Sequence, residues 1–396
     1  MKKLSILLLA AVCALILCSC GKGVVSDVKT DTIKSPDLPS SPVQPQEPKD
    51  LDTRISFAAV GDMISYTGTI RDAKSCAVEG GRPYNFAPIF ANVRHVIEAA
   101  DIAFINQETP LAGESFGYSS YPHFNTPRDI AYDIAEAGFD VVNIATNHML
   151  DQGSKGLEET IKFWNTLPVT VIGGYLDEND LDNFRIIEKD NIKIAFLSYT
   201  YSTNGYRLQS GYDIKIPYID EALIERQSKA AGELADLVFV SMHWGNENSM
   251  KTSASQRDLA SKMCSWGVDV IIGHHPHAIQ PVEWVEEGEN RLLCVYSLGN
   301  FAAEQEFDYQ LLGGLVTLDI VRENGEIFID KPILHPTVYY YDKRFYKNST
   351  YLFEDFTVDM EKSHGISHYG RSISIEKLRS YVLKTVSKEF LPQEWQ

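Results

Sequence analysis

Between Val268 and Ile272 the chain is β-branched and apolar apart from Asp269, then turns at Gly273 and continues as His274-His275-Pro276-His277. An apolar run of this kind fits a strand buried on both faces. Gly273 lets the backbone turn sharply and Pro276 stiffens the turn, so His275 and His277 are held in fixed directions. Imidazoles held in that way are good metal ligands. Histidines after a single strand are ordinary loop residues; the case for a site rests on how the other strands end.

They end alike. Ile55–Val60 stops at Gly61-Asp62-Met63, Ile102–Ile105 at Asn106-Gln107-Glu108, and Val141–Ala145 at Thr146-Asn147-His148 with Asp151 close behind. Leu237–Ser241 runs into Met242-His243-Trp244-Gly245-Asn246-Glu247, and Leu292–Tyr296 into Ser297 to Phe301 with Asn300 inside. Helical spacing lies between them: Phe86–Ala100, a helix opening at Thr126-Pro127 and stopping at Gly138, one carrying Leu157, Ile161 and Trp164, and Asp220–Leu234. Ser253 and Gln256 form a capping-box pair for a further helix closing at Gly267. Hairpins are expected across Asp190-Asn191, near Glu287-Gly288 and across Asn324-Gly325. Strands alternating with helices predict an α/β fold, in which ligands bind where the carboxyl ends of neighbouring strands converge.

Carboxylate, amide and imidazole without thiolate are the donor set of a divalent metal such as manganese, zinc or iron. The candidate ligands are Asp62, Glu108, Asn147, His243, His275 and His277. His148 is the candidate acid or base, with Asp151 and Glu247 grouped with it as catalytic candidates and Asn106, His274, Gln280 and Asn300 as substrate-binding candidates; the sequence does not identify the roles of Glu247 and Asn300. Such a metal would polarise a carbonyl or phosphoryl oxygen and acidify a bound water. A serine or cysteine nucleophile is excluded by content, since neither a Gly-x-Ser-x-Gly elbow nor an activated cysteine context occurs.

The ends of the chain read differently. Lys2-Lys3 followed by an apolar run to Leu17 is a secretory leader, too short for a membrane span. Its end, Leu17-Cys18-Ser19-Cys20, resembles the bacterial lipoprotein cleavage box, with Cys20 the residue lipidated, so an extracytoplasmic, lipid-anchored protein is expected. Residues 21–52, rich in Pro, Ser, Lys and Asp, are expected to be a disordered tether; 53–335 form the main domain; and 336–396 form an appendage packed on it, with a helix from Ser374 to Phe390. A formal net charge of −18 argues against nucleic acid as a partner. Cys76, Cys264 and Cys294 show neither a disulfide framework nor zinc-knuckle spacing.

On these motifs the chain resembles the CapA family of bacterial capsule (poly-γ-glutamate) synthesis proteins. The matching stretches are Val60 to Met63, Ile105 to Leu111, Asn147 to Gly153, His243 to Glu247, Gly273 to Pro281 and Tyr296 to Phe301, in family order. The resemblance implies a calcineurin-like metallophosphoesterase fold, an α+β sandwich of mixed β-sheets flanked by helices with metal at the strand ends. It also implies an envelope protein tied to polyglutamate synthesis, export or anchoring, acting on an acidic polymer or envelope substrate alongside membrane synthase subunits. Two positions depart from the phosphoesterase pattern: Ile64 stands where those enzymes place a histidine two residues after the first aspartate, and Asn106 to Glu108 replace their bridging-aspartate region. The alternative is a tethered, non-catalytic subunit that binds polyglutamate or a synthase through the same cleft.

Overall fold

The computed structural model describes residues 52–396. The leader, Cys20 and all of the tether but Asp52 lie outside the described residues. Two mixed sheets form the body. The first carries β1 (Thr53–Met63), β2 (Ile102–Gln107), β3 (Val141–Asn143) and β4 (Thr170–Ile172) as parallel neighbours. The second is built from β5 (Arg185–Lys189), β6 (Ile192–Thr200), β7 (Leu237–His243), β8 (Val270–His274), β9 (Val282–Glu287) and β10 (Asn290–Val295). There β6, β7, β8 and β10 are parallel, with β5 and β9 antiparallel at the edges. The first sheet is completed by the short β11 (Asn300–Ala302), which pairs with β1, and by the antiparallel β12 (Leu312–Glu323), β13 (Glu326–Tyr340) and β14 (Ser349–Leu352). Phe57 of β1 meets Phe239 of β7 edge-on at 5.1 Å and Phe196 of β6 at 6.4 Å, so the sheets pack face to face. This is the expected α/β sandwich, with helices outside.

Four aspartates set the strand register. Asp101, Asp140, Asp236 and Asp269 each stand one residue before a parallel strand, and accept the N–H of Ser56, Ala103, Lys193 and Val238 from the adjacent strand at 2.7–2.9 Å. A free N–H at a sheet end would otherwise cost energy if buried. Burial pushes the Asp269 carboxyl up to about 7, against the pull of the Val238 N–H. An acid raised in the folded state contributes stability below its unfolded value, and that contribution is lost as pH rises through the folded value. Asp269→Asn, which keeps an acceptor, should therefore raise the melting temperature at pH 8 and leave it nearly unchanged at pH 4, a gain of about 1–3 kcal/mol. Thermal unfolding at the two pH values decides; an equal shift at both would remove the charge as the cause.

The hairpins form as expected, with Asp190, Asn191, Asn324 and Gly325 all at positive φ. The Ser253–Gln256 capping box is present. Three helices differ from expectation. Phe86–Ala100 is two short helices, Ala87–Phe90 and Arg94–Ala99; the Asn92 amide between them donates to Ser349 Oγ at 2.7 Å. Thr126 does not cap, because its hydroxyl is bonded to Thr109 at 2.7 Å, and the helix starts at Asp129. The last helix spans Ile375–Thr385 and is followed by a separate turn at Lys388–Phe390.

The boundary expected after residue 335 falls inside β13, which continues to Tyr340 and pairs with β14 from Thr337 onward. Pro336 lies just beyond the end of β14, where its missing N–H has no ladder to break. The described residues, 52–396, belong to one compact unit. Cys76, Cys264 and Cys294 are free thiols. Among the described residues no helix is long and apolar enough to cross a membrane.

Candidate metal centre

The strand ends converge. β1 brings Asp62, β2 Glu108, the loop after β3 Asn147 and His148, β7 His243, and the turn after β8 His275 and His277, both at positive φ. Apart from exposed Glu247, all of these residues are buried. Two donor groups share His277: Asp62, Glu108 and His277, and Glu247, His275 and His277, with the ligand atoms of each within 4.8 Å of one another. Asn147 Oδ1 lies 3.1 Å from His243 Nε2, and Glu108 Oε1 lies 3.6 Å from His277 Nε2 and 4.0 Å from His243 Nε2.

The two buried carboxylates have opposite surroundings. Asp62 is satisfied on both oxygens. Oδ1 accepts from Asn106 Nδ2 at 2.8 Å and faces His274 Nδ1 at 3.1 Å, while Oδ2 accepts the His275 N–H at 3.3 Å and faces His277 Nδ1 at 3.1 Å. Burial alone would raise it, but His274 and His277 outweigh burial and hold it well below the usual carboxylate range. Neither oxygen of Glu108 has a hydrogen-bond partner. Burial pushes Glu108 well above the usual range, with Asp62 and Glu247 adding to the rise against the pull of His277.

The imidazoles are tuned in the same way. Burial and the neighbouring His275 push His243 well below the ordinary value, and burial with His277 lowers His275 to about 3. Burial would lower His277 too, but Glu108 and Asp62 prevail and hold it at about 9. Neutral His243 and His275 can ligate without losing a proton. Nδ1 of each is buried without a partner. A buried carboxylate that accepts no hydrogen bond and faces imidazole nitrogens at 3.6 and 4.0 Å fits a divalent cation, which would supply the contacts its oxygens lack. The oxygen and nitrogen donors suit manganese, zinc or iron.

The residues assigned to catalysis separate. His148 Nδ1 lies 2.8 Å from Asp151 Oδ2, which also accepts the Phe124 N–H at 2.8 Å. The Asp151 side chain is buried and is placed to orient His148. Glu247 joins the candidate ligands instead.

The four residues expected to face substrate are all buried and bonded inward. Asn106 bridges Asp62 and Asn143, His274 stacks on Phe104 at 5.7 Å, and Asn300 Oδ1 lies 3.1 Å from His277 Nδ1. Gln280 bonds Gln256 at 2.9 Å and the carbonyls of Ser249 and Lys251. Each is engaged by protein groups, so each positions a ligand or pins a loop.

Other site residues emerge only from the fold. Half-exposed Tyr201, just past β6, lies over His275 at 4.4 Å and parallel to His243 at 6.3 Å. Asn143, bonded to Ser198, holds Asn106, and Asn204 approaches Asn147 and His148. The rule that strand ends converge, applied to the end of β6, leads to Tyr201 and Asn204.

Residues 56–305 match the family described as "Bacterial capsule synthesis protein PGA_cap". The chain belongs to that family. Among PGA_cap relatives it is similar to the capsule biosynthesis protein CapA of Bacillus anthracis, 29% identical over 285 residues, covering 70% of this chain and 66% of the relative. It is also similar to the PGA biosynthesis protein CapA of Bacillus subtilis (strain 168), 30% identical over 242 residues, covering 60% and 62%. The chain thus spans slightly less than two thirds of these relatives. Among solved structures, a putative 5'-nucleotidase from Staphylococcus aureus in complex with α-ketoglutarate overlaps 71% of this PGA_cap chain and 54% of its own, at 17% identity and a TM-score of 0.46. A 5'-nucleotidase precursor from Thermus thermophilus overlaps 84% and 59%, at 13% identity and a TM-score of 0.45. Scores of that size carry nothing about activity.

Proposed function

We propose that this chain works in capsule synthesis as an extracytoplasmic lipoprotein anchored through Cys20, and that it is a metal-dependent hydrolase or transferase acting on poly-γ-glutamate or a related envelope substrate. Membership of the PGA_cap family supports the capsule role. The observation that carries the chemistry is Glu108, with two buried unpartnered oxygens beside His277 and His243. Glu108, His243, His275 and His277 would hold the metal, with Glu247 and Asn147 at its edge. The metal would supply Lewis-acid polarisation and an acidified water. Asp62 and Asn300 fix the proton of His277 on Nδ1, leaving Nε2 toward Glu108. His148, aimed by Asp151, would carry the proton to or from the reacting group.

Metal content by elemental mass spectrometry on wild type and His275→Ala tests this reading. Metal near stoichiometric in wild type and largely absent from the variant is the expected result. No metal in either protein, after incubation with manganese, zinc and iron under reducing conditions, would overturn it. That outcome would favour a tethered, non-catalytic subunit. One observation leans that way: Ile64 is buried against Phe124 and Ala303 where a further ligand could stand.

A further inference from the structure

The Thr67–Ser75 helix, which follows β1 and its Asp62, presents exposed Arg71 and Lys74. The turn after β13 adds exposed Lys343, Arg344 and Lys347. Arg71 donates to the Arg344 carbonyl, and both guanidinium groups lie over the Tyr346 ring, at 4.9 and 5.6 Å. Two segments about 270 residues apart in sequence are thus joined into one cationic surface.

Among the described residues none of the five cations lies within ion-pairing distance of a carboxylate. Elsewhere on the surface Arg82, Arg185, Arg226 and Arg257 are each paired, with Glu136, Asp180, Asp182 and Glu283. The acids of these two segments are spent on N–H groups. Asp72 accepts from Asn348 N and Nδ2 at 2.8 and 2.9 Å, and Asp342 from the N–H groups of Arg344 and Tyr346 at 2.8 and 3.0 Å. Buried Glu304 nearby accepts from Thr69 Oγ1 and Gly68 N. What these two segments turn to water is positive, in a chain of net charge −18, while the carboxylates of Glu114 and Asp129 lie on the far side, near Tyr84 and Tyr118.

A groove of about 250 Å³ runs beside the cluster, lined by Arg71, Lys74, Tyr84 and Tyr118 with Ser119 and Ser120. The helix that forms its wall is two ring contacts from His148. Tyr66, at the start of the helix, packs edge-on against Phe124 at 5.5 Å, and Phe124 against His148 at 4.8 Å.

We infer that this groove, with Arg71 and Lys74 in its wall and Lys343, Arg344 and Lys347 beside it, forms a binding track for an extended polycarboxylate, which holds the chain while one part of it reaches His148. The inference rests on the proposed function, and adds where an acidic polymer meets an otherwise repelling surface. Arginine forks held in place over Tyr346 suit carboxylates, and exposed cations make the binding salt-dependent.

Binding of poly-L-glutamate to the full chain, measured at low and at 0.5 M salt with neutral dextran as control, tests the track. Wild type should bind poly-L-glutamate and not dextran, and lose the binding at high salt. Lys74→Glu with Lys343→Glu, neither making a side-chain hydrogen bond, should weaken it at least tenfold with metal content and melting temperature unchanged. Arg71→Glu should weaken it likewise with metal content unchanged, and lower the melting temperature through the lost contacts to Arg344 and Tyr346. His275→Ala should keep the binding, so that failure of the metal reading and failure of the track are told apart. No binding by wild type, equal binding by the charge-reversed variants, or binding only to anionic phosphatidylglycerol vesicles would each overturn the inference.

Discussion

Replacing Glu108 by glutamine should stabilise the metal-free protein and abolish its response to metal. Without a cation, Glu108 is a carboxyl whose two oxygens are buried and unpartnered, and which burial, Asp62 and Glu247 together push well above the usual range. Glutamine removes the charge at nearly constant shape, and His277 keeps Asp62 as its counter-charge. The gain should be on the order of 1–3 kcal/mol at neutral pH, where the unfolded chain ionises this carboxyl freely and the buried site resists its charge. With metal the sign reverses, since a lost ligand should lower affinity by about 100-fold or more. Thermal unfolding in chelator and in added manganese separates the two effects. Wild type should melt lower in chelator and rise with manganese; Glu108→Gln should start higher and stay there. A variant less stable than wild type in chelator would mean that Glu108 is held by internal partners.

That contrast between Glu108 and Asp62 marks the limit of what the sequence conveys. Strand ends are legible because an apolar β run followed by Asp, Asn, Glu or His is a local pattern, and crossover topology brings such ends together. Asp62, Glu108, His243, His275 and His277 follow from it. Which polar side chain turns inward depends on pairings across the sheet. Asn106 bonds Asp62 on one side and Asn143 on the other, and Asn143 is held by Ser198 from the opposite sheet. No spacing encodes that chain of contacts. Tyr201 is similar: the sequence places it after β6, but only the packing of the two sheets lays its ring on His275. The break at Asn92 depends on Ser349, 257 residues away. The register aspartates were visible in principle, since Asp101, Asp140, Asp236 and Asp269 all precede apolar runs. Their partners are visible only in the fold.

Alanine at Gly273 should be among the most damaging single-methyl changes in the protein. A Cβ there would lie 1.9 Å from the Tyr296 carbonyl oxygen and 2.7 Å from that of Val295, both backbone atoms of the neighbouring strand end. β8 and β10 are in register at Ile272 and Val295, so relief requires the strands to separate just before His274. Gly61 meets the same constraint against Gly299, at 2.0 Å, one residue before Asp62. The close approach of backbones at these two glycines aims the residues that follow into the metal centre. Gly273→Ala should cost about 3 kcal/mol or more and lower the melting temperature by about 5–10 °C. Metal should also be lost from whatever fraction folds, because His275 and His277 hang from the displaced turn. Gly232→Ala is the control, since its Cβ would meet only Val238 at 3.9 Å within a helix, and it should be neutral or stabilising by up to about 1 kcal/mol. A Gly273→Ala protein that melts with wild type but binds no metal would place the cost in the turn alone. One that melts with wild type and binds metal normally would refute the constraint, and with it the account of how β8 aims its histidines.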